Sequence, residues 1–306
     1  MQKRLAGFRQ QKIDVGEAVI NTFVCGTGDP ILMLHGYPQT HLMWHKVAPT
    51  LAKKYTVVLT DLRGYGDSSC PEPDLGHTAY SKRKMAKDQI KVMEKLGYDR
   101  FLLVGHDRGA RVSHQLLLDY PEKVKRALFL DIIATIDMFT HMDVEMVKQY
   151  YHWFFLIQEH GLPEALIEGA PEKVVRSFIQ RLSNKDDVFP DDVMQQYIEK
   201  FSNTSVIHAT CEDYRAGATC DLEHIASSGL IECPLCVLWG APGLRRFDVL
   251  ELWRKRAKKV SGFLVEESGH YIAEEAPETT IRTIEDFFAS DADMLTDAQI
   301  AAIKKG

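Results

Sequence analysis

Phe101-Leu102-Leu103-Val104-Gly105-His106-Asp107-Arg108-Gly109 decides how the rest of the chain is read. Four apolar residues make a buried strand, and Gly105 and Gly109 bracket a polar triplet ahead of a helix expected from about Ala110 to Tyr120, stopped by Pro121. A strand that turns sharply into a helix forces the residue at the bend into a sparsely populated backbone region. It also leaves no room for neighbouring side chains, hence the glycines. This is the context of a nucleophile elbow, with Asp107 where the better-known version has serine. The plain alternative for the pentapeptide alone is an aspartate capping a helix N-terminus.

Outward from the elbow, the first third alternates strand and helix signals, which implies βα units around a mostly parallel sheet. Val19 to Cys25, Ile31 to Leu34 and Tyr55 to Thr60 read as strands, and Trp44 to Lys53 reads as a helix between the last two. Ala79 to Leu96 is a clearer helix: Ala86, Ile90, Met93 and Leu96 share a face, and Gly97 follows as a stop. Ala127 to Leu130 is a strand ending at Asp131. From about Ile136 to Ala218 the chain reads as several helices with little strand signal. Strands resume at Pro234 to Gly240 and Gly262 to Glu266, and a helix is expected from Pro277 to Phe288. Thr296-Asp297-Ala298-Gln299 has capping-box spacing for one last short helix. The expected organisation is a core of residues 1–135 and 219–306 carrying a helical cap, 136–218.

Three further positions carry chemistry. His35-Gly36-Tyr37-Pro38 follows an early strand, where a backbone N–H from Tyr37 and one from Arg108 would form an oxyanion hole; an ordinary glycine turn is the other reading. Gly269-His270 follows the last strand, where a base should project toward the elbow, in the order nucleophile first and histidine last. The acid that orients the imidazole commonly sits in a Trp-Gly-x-x-Asp stretch, but here that stretch is Trp239-Gly240-Ala241-Pro242-Gly243. Asp131, one strand earlier, is preferred for the role, with Asp248 a weaker candidate.

An aspartate nucleophile attacks saturated carbon by displacement and leaves an ester on the enzyme, which suits carbon–halogen bonds or epoxides. Arg108 and Arg111, three residues apart, share a face of the elbow helix. Cations at a helix N-terminus oppose its dipole, so they signal a reason beyond folding. A guanidinium fork binds a carboxylate in bidentate fashion, so the expected substrate is a short anionic acid; solvated surface arginines are the alternative.

With these residues the chain resembles the fluoroacetate (haloacetate) dehalogenase family of α/β-hydrolases. The marks are Asp107-Arg108 with Arg111, Asp131, the pair His152-Trp153, Tyr214 within Cys211-Glu212-Asp213-Tyr214-Arg215-Ala216, and His270. The resemblance runs over nearly the whole chain. It implies that the two arginines bind the substrate carboxylate and that His152, Trp153 and Tyr214 donate hydrogen bonds to the departing halide. All three side chains carry an N–H or O–H donor. Without it, Tyr150-Tyr151-His152-Trp153-Phe154-Phe155 would read as a core-packing aromatic helix. Tyr37 stands where the family more often has phenylalanine, and Ile225 where an acid is expected. The resemblance also implies a homodimer. An epoxide hydrolase with the same Asp and His, its epoxide oxygen served by Tyr150, Tyr151 or Tyr214, is the nearest competing function. A non-enzymatic small-molecule receptor on the same scaffold is a more distant one.

Bulk properties narrow the partners. The 306 residues, 45% hydrophobic and 26% charged, are those of a globular protein. A formal net charge of −6 disfavours nucleic acid and repels an anionic substrate at long range, so local cations must capture it. No apolar run approaches the roughly 18–20 residues of a membrane span, and the N-terminus lacks a signal-peptide pattern. The six cysteines form no disulfide framework, and Cys233-Pro234-Leu235-Cys236 is read as structural. A cytoplasmic enzyme needing no cofactor and no metal is the expectation.

Overall fold

The computed structural model describes residues 4–305. Among the described residues eight strands form one sheet: β1 (Arg9–Asp14), β2 (Val19–Cys25), β3 (Pro30–Leu34), β4 (Thr56–Thr60), β5 (Phe101–His106), β6 (Val124–Leu130), β7 (Leu235–Trp239) and β8 (Val260–Leu264). Their order is β1-β2-β4-β3-β5-β6-β7-β8. Only the β1/β2 and β2/β4 pairings are antiparallel; the others are parallel. This is the mostly parallel α/β-hydrolase sheet expected from the elbow and its flanking units.

The order places the site. From β3 the chain steps outward to β4, then returns to the other side of β3 to lay down β5, and continues in that direction. The carboxyl ends of β3 and β5 therefore flank a point where the winding reverses, the position at which open parallel sheets leave a crevice. The loop after β3 carries His35-Gly36-Tyr37, and the bend after β5 carries Asp107. Asp131 and Gly240 follow β6 and β7, and His270 lies beyond β8, all at the same edge.

The strands are buried because both faces are covered. All six residues of β5 are buried, and each large aliphatic side chain removed from water stabilises the fold by roughly 1.5–3 kcal/mol. The elbow helix Arg108–Asp119 packs on β5 and against the helix Lys82–Lys95. A Cβ on Gly105 would lie 2.6 Å from Ala110 Cα, and one on Gly109 2.4–2.5 Å from the carbonyl oxygens of His35 and Leu34. Glycine is what lets helix and strand approach this closely.

Among the differences from expectation, two have a clear physical reason. Trp44 to Lys53 is not one helix but a 3₁₀ segment, His41–Lys46, and a short helix, Ala48–Leu51. Pro49 has no N–H to donate and its ring would meet the carbonyl four residues back, so a continuous helix is interrupted there. The edge strand β1 escaped detection because Ile13 is its sole buried residue; a charged, exposed strand suits a sheet edge but leaves no apolar pattern.

Between β6 and β7 every element is helical. Thr135–Thr140, Val144–Tyr150, His152–Leu156, Leu162–Glu168, Pro171–Leu182, Asp191–Phe201 and Thr204–Ala218 are followed by Cys220–Ala226. At the other end Thr296 Oγ1 accepts from Gln299 N at 3.3 Å while Gln299 Oε1 accepts from Thr296 N at 2.9 Å, a reciprocal cap opening Asp297–Lys305. Among the described residues no helix is long and apolar enough to cross a membrane.

Candidate active site

Asp107 sits at φ 44°, ψ −114°, a strained backbone geometry. It makes no side-chain cap of the helix that follows, so the capping alternative fails. Its Oδ2 instead accepts the Tyr37 N–H at 3.0 Å. A Cβ on Gly36 would lie 2.6 Å from Asp107 Cβ, so the loop after β3 approaches the carboxylate only because residue 36 is glycine. The Arg108 N–H belongs to the first helical turn, whose amides have no intrahelical acceptor. Burial opposes the charge on Asp107, yet His270, His106, Arg111 and Arg108 bring its carboxyl down to about 2. The group is an ionised carboxylate at neutral pH.

His270 Nδ1 and Asp131 Oδ2 are 2.5 Å apart, and Asp131 Oδ1 accepts the N–H groups of Gly240 at 2.7 Å and Ala241 at 2.9 Å. The stretch after β7 that lacks an acid thus supplies two amides that aim the acid from β6. Asp248 instead caps the helix Val249–Arg254, accepting from Glu251 N at 2.9 Å. Burial lowers the affinity of His270 for a proton, but the hydrogen bond and charge of Asp131, with the charge of Asp107, outweigh it and raise the imidazole above its ordinary value. The loop bearing His270 is pinned by Glu275, which accepts from the N–H groups of Gly269 and Tyr271, both at 3.0 Å, and of Asn184 at 2.7 Å.

The two arginines are buried and flank the Trp153 ring, with guanidinium carbons 5.7 Å (Arg108) and 4.5 Å (Arg111) from its centroid. They are not surface residues. Nor are they equivalent. Arg108 donates through Nε and Nη2 to Asp213 Oδ2 and Oδ1 at 2.8 and 2.9 Å, and its guanidinium lies 4.1 Å from the Tyr214 ring centroid. Its Nη1 is buried without a hydrogen-bond partner. Arg111 Nη1 donates to the Ile133 carbonyl at 3.0 Å and to Thr135 Oγ1 at 3.1 Å; its Nε has no partner. Burial brings Arg111 down to about 10, so it remains charged at neutral pH.

A cavity of about 20 Å³ is lined by Tyr37, Asp107, Arg111, Asp131, His152, Trp153 and His270, among others. Tyr37 is stacked with His152 at a ring separation of 6.3 Å, and Tyr214 lies edge-on to Tyr37, His152 and Trp153 at 5.4–5.8 Å. The hydroxyls of Tyr37, Tyr150 and Tyr214 and His152 Nδ1 are buried without partners among the described residues. Burial, followed by the charge of Arg181, holds His152 well below its ordinary value, so its ring is neutral. Ile225 lies on the helix Cys220–Ala226, away from this lining.

Asp213 has no role assigned by the sequence, and Tyr150, given a role there only in the competing epoxide reading, lines the cavity. An acid inside the helix Thr204–Ala218 calls for a cation, but nothing in the sequence says which.

The chain belongs to the α/β-hydrolase fold family, whose model matches residues 29–277. A fluoroacetate dehalogenase from Burkholderia sp is 39% identical over 94% of this chain and 95% of its own length. A soluble epoxide hydrolase from Corynebacterium sp. (strain C12) is 31% identical over 89% of this chain and 96% of its own. A solved structure from Nostoc sp PCC 7120, assigned to the α/β-hydrolases, superimposes with a TM-score of 0.89 at 51% identity, covering 92% of this chain and 98% of that one. The protein is therefore a hydrolase of this fold, similar both to a dehalogenase and to an epoxide hydrolase.

Proposed function

We propose that the protein hydrolyses short haloacids, fluoroacetate or another haloacetate, to glycolate and halide. The observation carrying this reading is the buried Arg111, with its unpartnered Nε, in the same small cavity as the Asp107 carboxylate. A cation there positions an acid end, and a volume of about 20 Å³ admits few atoms, since one water alone requires roughly 10–15 Å³ by this measure.

In the proposed reaction Asp107 Oδ1 attacks the carbon bearing the halogen, and the halide leaves with the bonding pair. Arg111, with Arg108 Nη1, holds the substrate carboxylate. His152, Trp153 and Tyr214 donate to the leaving halide. The product is an ester whose carbonyl oxygen, Oδ2, lies at the Tyr37 N–H. His270 then takes a proton from water, and the hydroxide attacks the Asp107 carboxyl carbon. The amides of Tyr37 and Arg108 stabilise the tetrahedral oxyanion. On collapse the His270 imidazolium returns its proton to the departing alkoxide, releasing glycolate carrying the former Oδ1, and Asp107 keeps one oxygen from water and loses the remaining proton to become a carboxylate again.

The test is halide release from fluoroacetate and chloroacetate, beside an epoxide panel, by the native protein and Asp107→Asn. Halide release lost in the variant is expected. A single turnover in ¹⁸O-water should label Asp107 rather than glycolate. Turnover of epoxides alone would replace this reading with the epoxide hydrolase one, for which the unpartnered hydroxyls of Tyr150 and Tyr214 are the available donors.

A further inference from the structure

Arg181, near the end of the cap helix Pro171–Leu182, takes no part in the reaction above. Its Nη1 donates to the Gln149 carbonyl, and its guanidinium lies over the rings of Tyr151 and Phe178, 5.0 and 5.4 Å from their centroids. Nε and Nη2 are buried and have no hydrogen-bond partner among the described residues. Elsewhere in this protein that same edge of the guanidinium grips a carboxylate by both nitrogens: Arg4 on Asp192, Arg63 on Asp88, Arg108 on Asp213 and Arg256 on Asp137. In Arg181 the fork is held in place, desolvated and free of any acid. A buried donor pair without an acceptor costs stability, and a parallel two-point fork matches a carboxylate.

Its location gives the fork a use. Arg181 also lines an open groove with Lys173, Arg176, Ser177 and Gln180, where Glu172 pairs with Arg176 at 2.8 Å. Phe178, on which Arg181 stacks, is a wall of the catalytic cavity. The guanidinium thus stands between outer surface and reaction chamber, in a protein whose net charge of −6 repels anions.

We propose that the Nε/Nη2 edge of Arg181 is a second carboxylate-binding site, outside the catalytic cavity, that holds a short monocarboxylate passing between groove and chamber. The identity of the passenger as haloacid or glycolate rests on the function proposed above; the carboxylate site itself does not.

Acetate, which carries no leaving group, is the probe. In protein labelled with ¹⁵N-arginine, the Arg181 Nε–H resonance, assigned by its loss in Arg181→Lys, should shift saturably with acetate. It should still do so in Arg111→Gln, where the inner site is disabled. A resonance that stays still in the native protein, or responds only while Arg111 is intact, would overturn the proposal. For haloacetate turnover, Arg181→Gln should lower kcat/KM about tenfold, a factor worth ~1.4 kcal/mol and near the low end for a hydrogen bond to a charged group, with the change residing in KM. A fall in kcat at unchanged KM would equally count against it. If the native protein releases no halide but the acetate response persists, the function fails and the site stands.

Discussion

Replacing Asp213 by asparagine tests whether Arg108 is held by a buried charge network. Asp213 joins Arg108 and Lys82, and Asp221 lies 3.3 Å from Lys82, so two cations meet two carboxylates with all four side chains at 2% exposure or less. Tyr65 adds a 2.7 Å hydrogen bond to Asp213. The asparagine is nearly isosteric but leaves two buried cations facing one carboxylate. Breaking one partner of a buried pair costs about 3–5 kcal/mol, or roughly 150- to 5000-fold in the folding equilibrium. Chemical denaturation of native protein and variant at pH 7 measures it. Asp192→Asn is the control: Asp192 pairs with Arg4 through the same two-nitrogen geometry, but at 60% and 35% side-chain exposure, and exposed pairs contribute little. Its unfolding midpoint should stay close to native. Burial opposes the charge on Asp213, yet Arg108 and Lys82 hold its carboxyl well below the usual carboxylate range. A depressed folded value stabilises above the unfolded value, about 3.9, and that contribution is lost as pH falls. The difference between native and Asp213→Asn should therefore shrink on acidification below about pH 4. A loss at pH 7 no larger than that of Asp192→Asn would refute the reasoning, because burial would then have no bearing on what the pair contributes.

Three further outcomes concern protons. Asp131→Asn should slow ester hydrolysis on the order of 10⁴-fold, as loss of the orienting acid does in a comparable triad; ester formation survives, so mass spectrometry should find Asp107 carrying the substrate's carbon chain. Under the proposed mechanism hydrolysis needs neutral His270, whose affinity for a proton is raised in the fold, so the rate should climb with pH through an apparent pKa above that of an ordinary imidazole before levelling. Glu274 accepts hydrogen bonds from Gln39 and Tyr197, and burial pushes it from 4.5 up to about 8 against them. A folded value above the unfolded one makes its contribution largest at low pH and lost as pH rises from about 4.5 to about 8. Glu274→Gln should be stabilised relative to native increasingly across that window, measured by denaturation at pH 5 and pH 8.

The fold was legible from Phe101 to Gly109 because the constraint there is local: a strand, a strained bend and a helix in contact demand glycines at 105 and 109 whatever the rest of the chain does. Asp107, His270 and Tyr37 could be picked out for the same reason, each standing at the carboxyl end of a readable strand. Asp131 over Asp248 is only a preference in the sequence; in the fold Asp131 reaches His270 from 139 residues away while Asp248 caps a helix. The difference between Arg108 and Arg111 was invisible. Their spacing on the helix is a property of the sequence, but the acid that occupies one of them comes from a helix 105 residues later. Local backbone sterics determine which residues bend, whereas charge pairing and cavity size depend on distances between segments, and those exist only once the sheet has wound and the helices have closed over it.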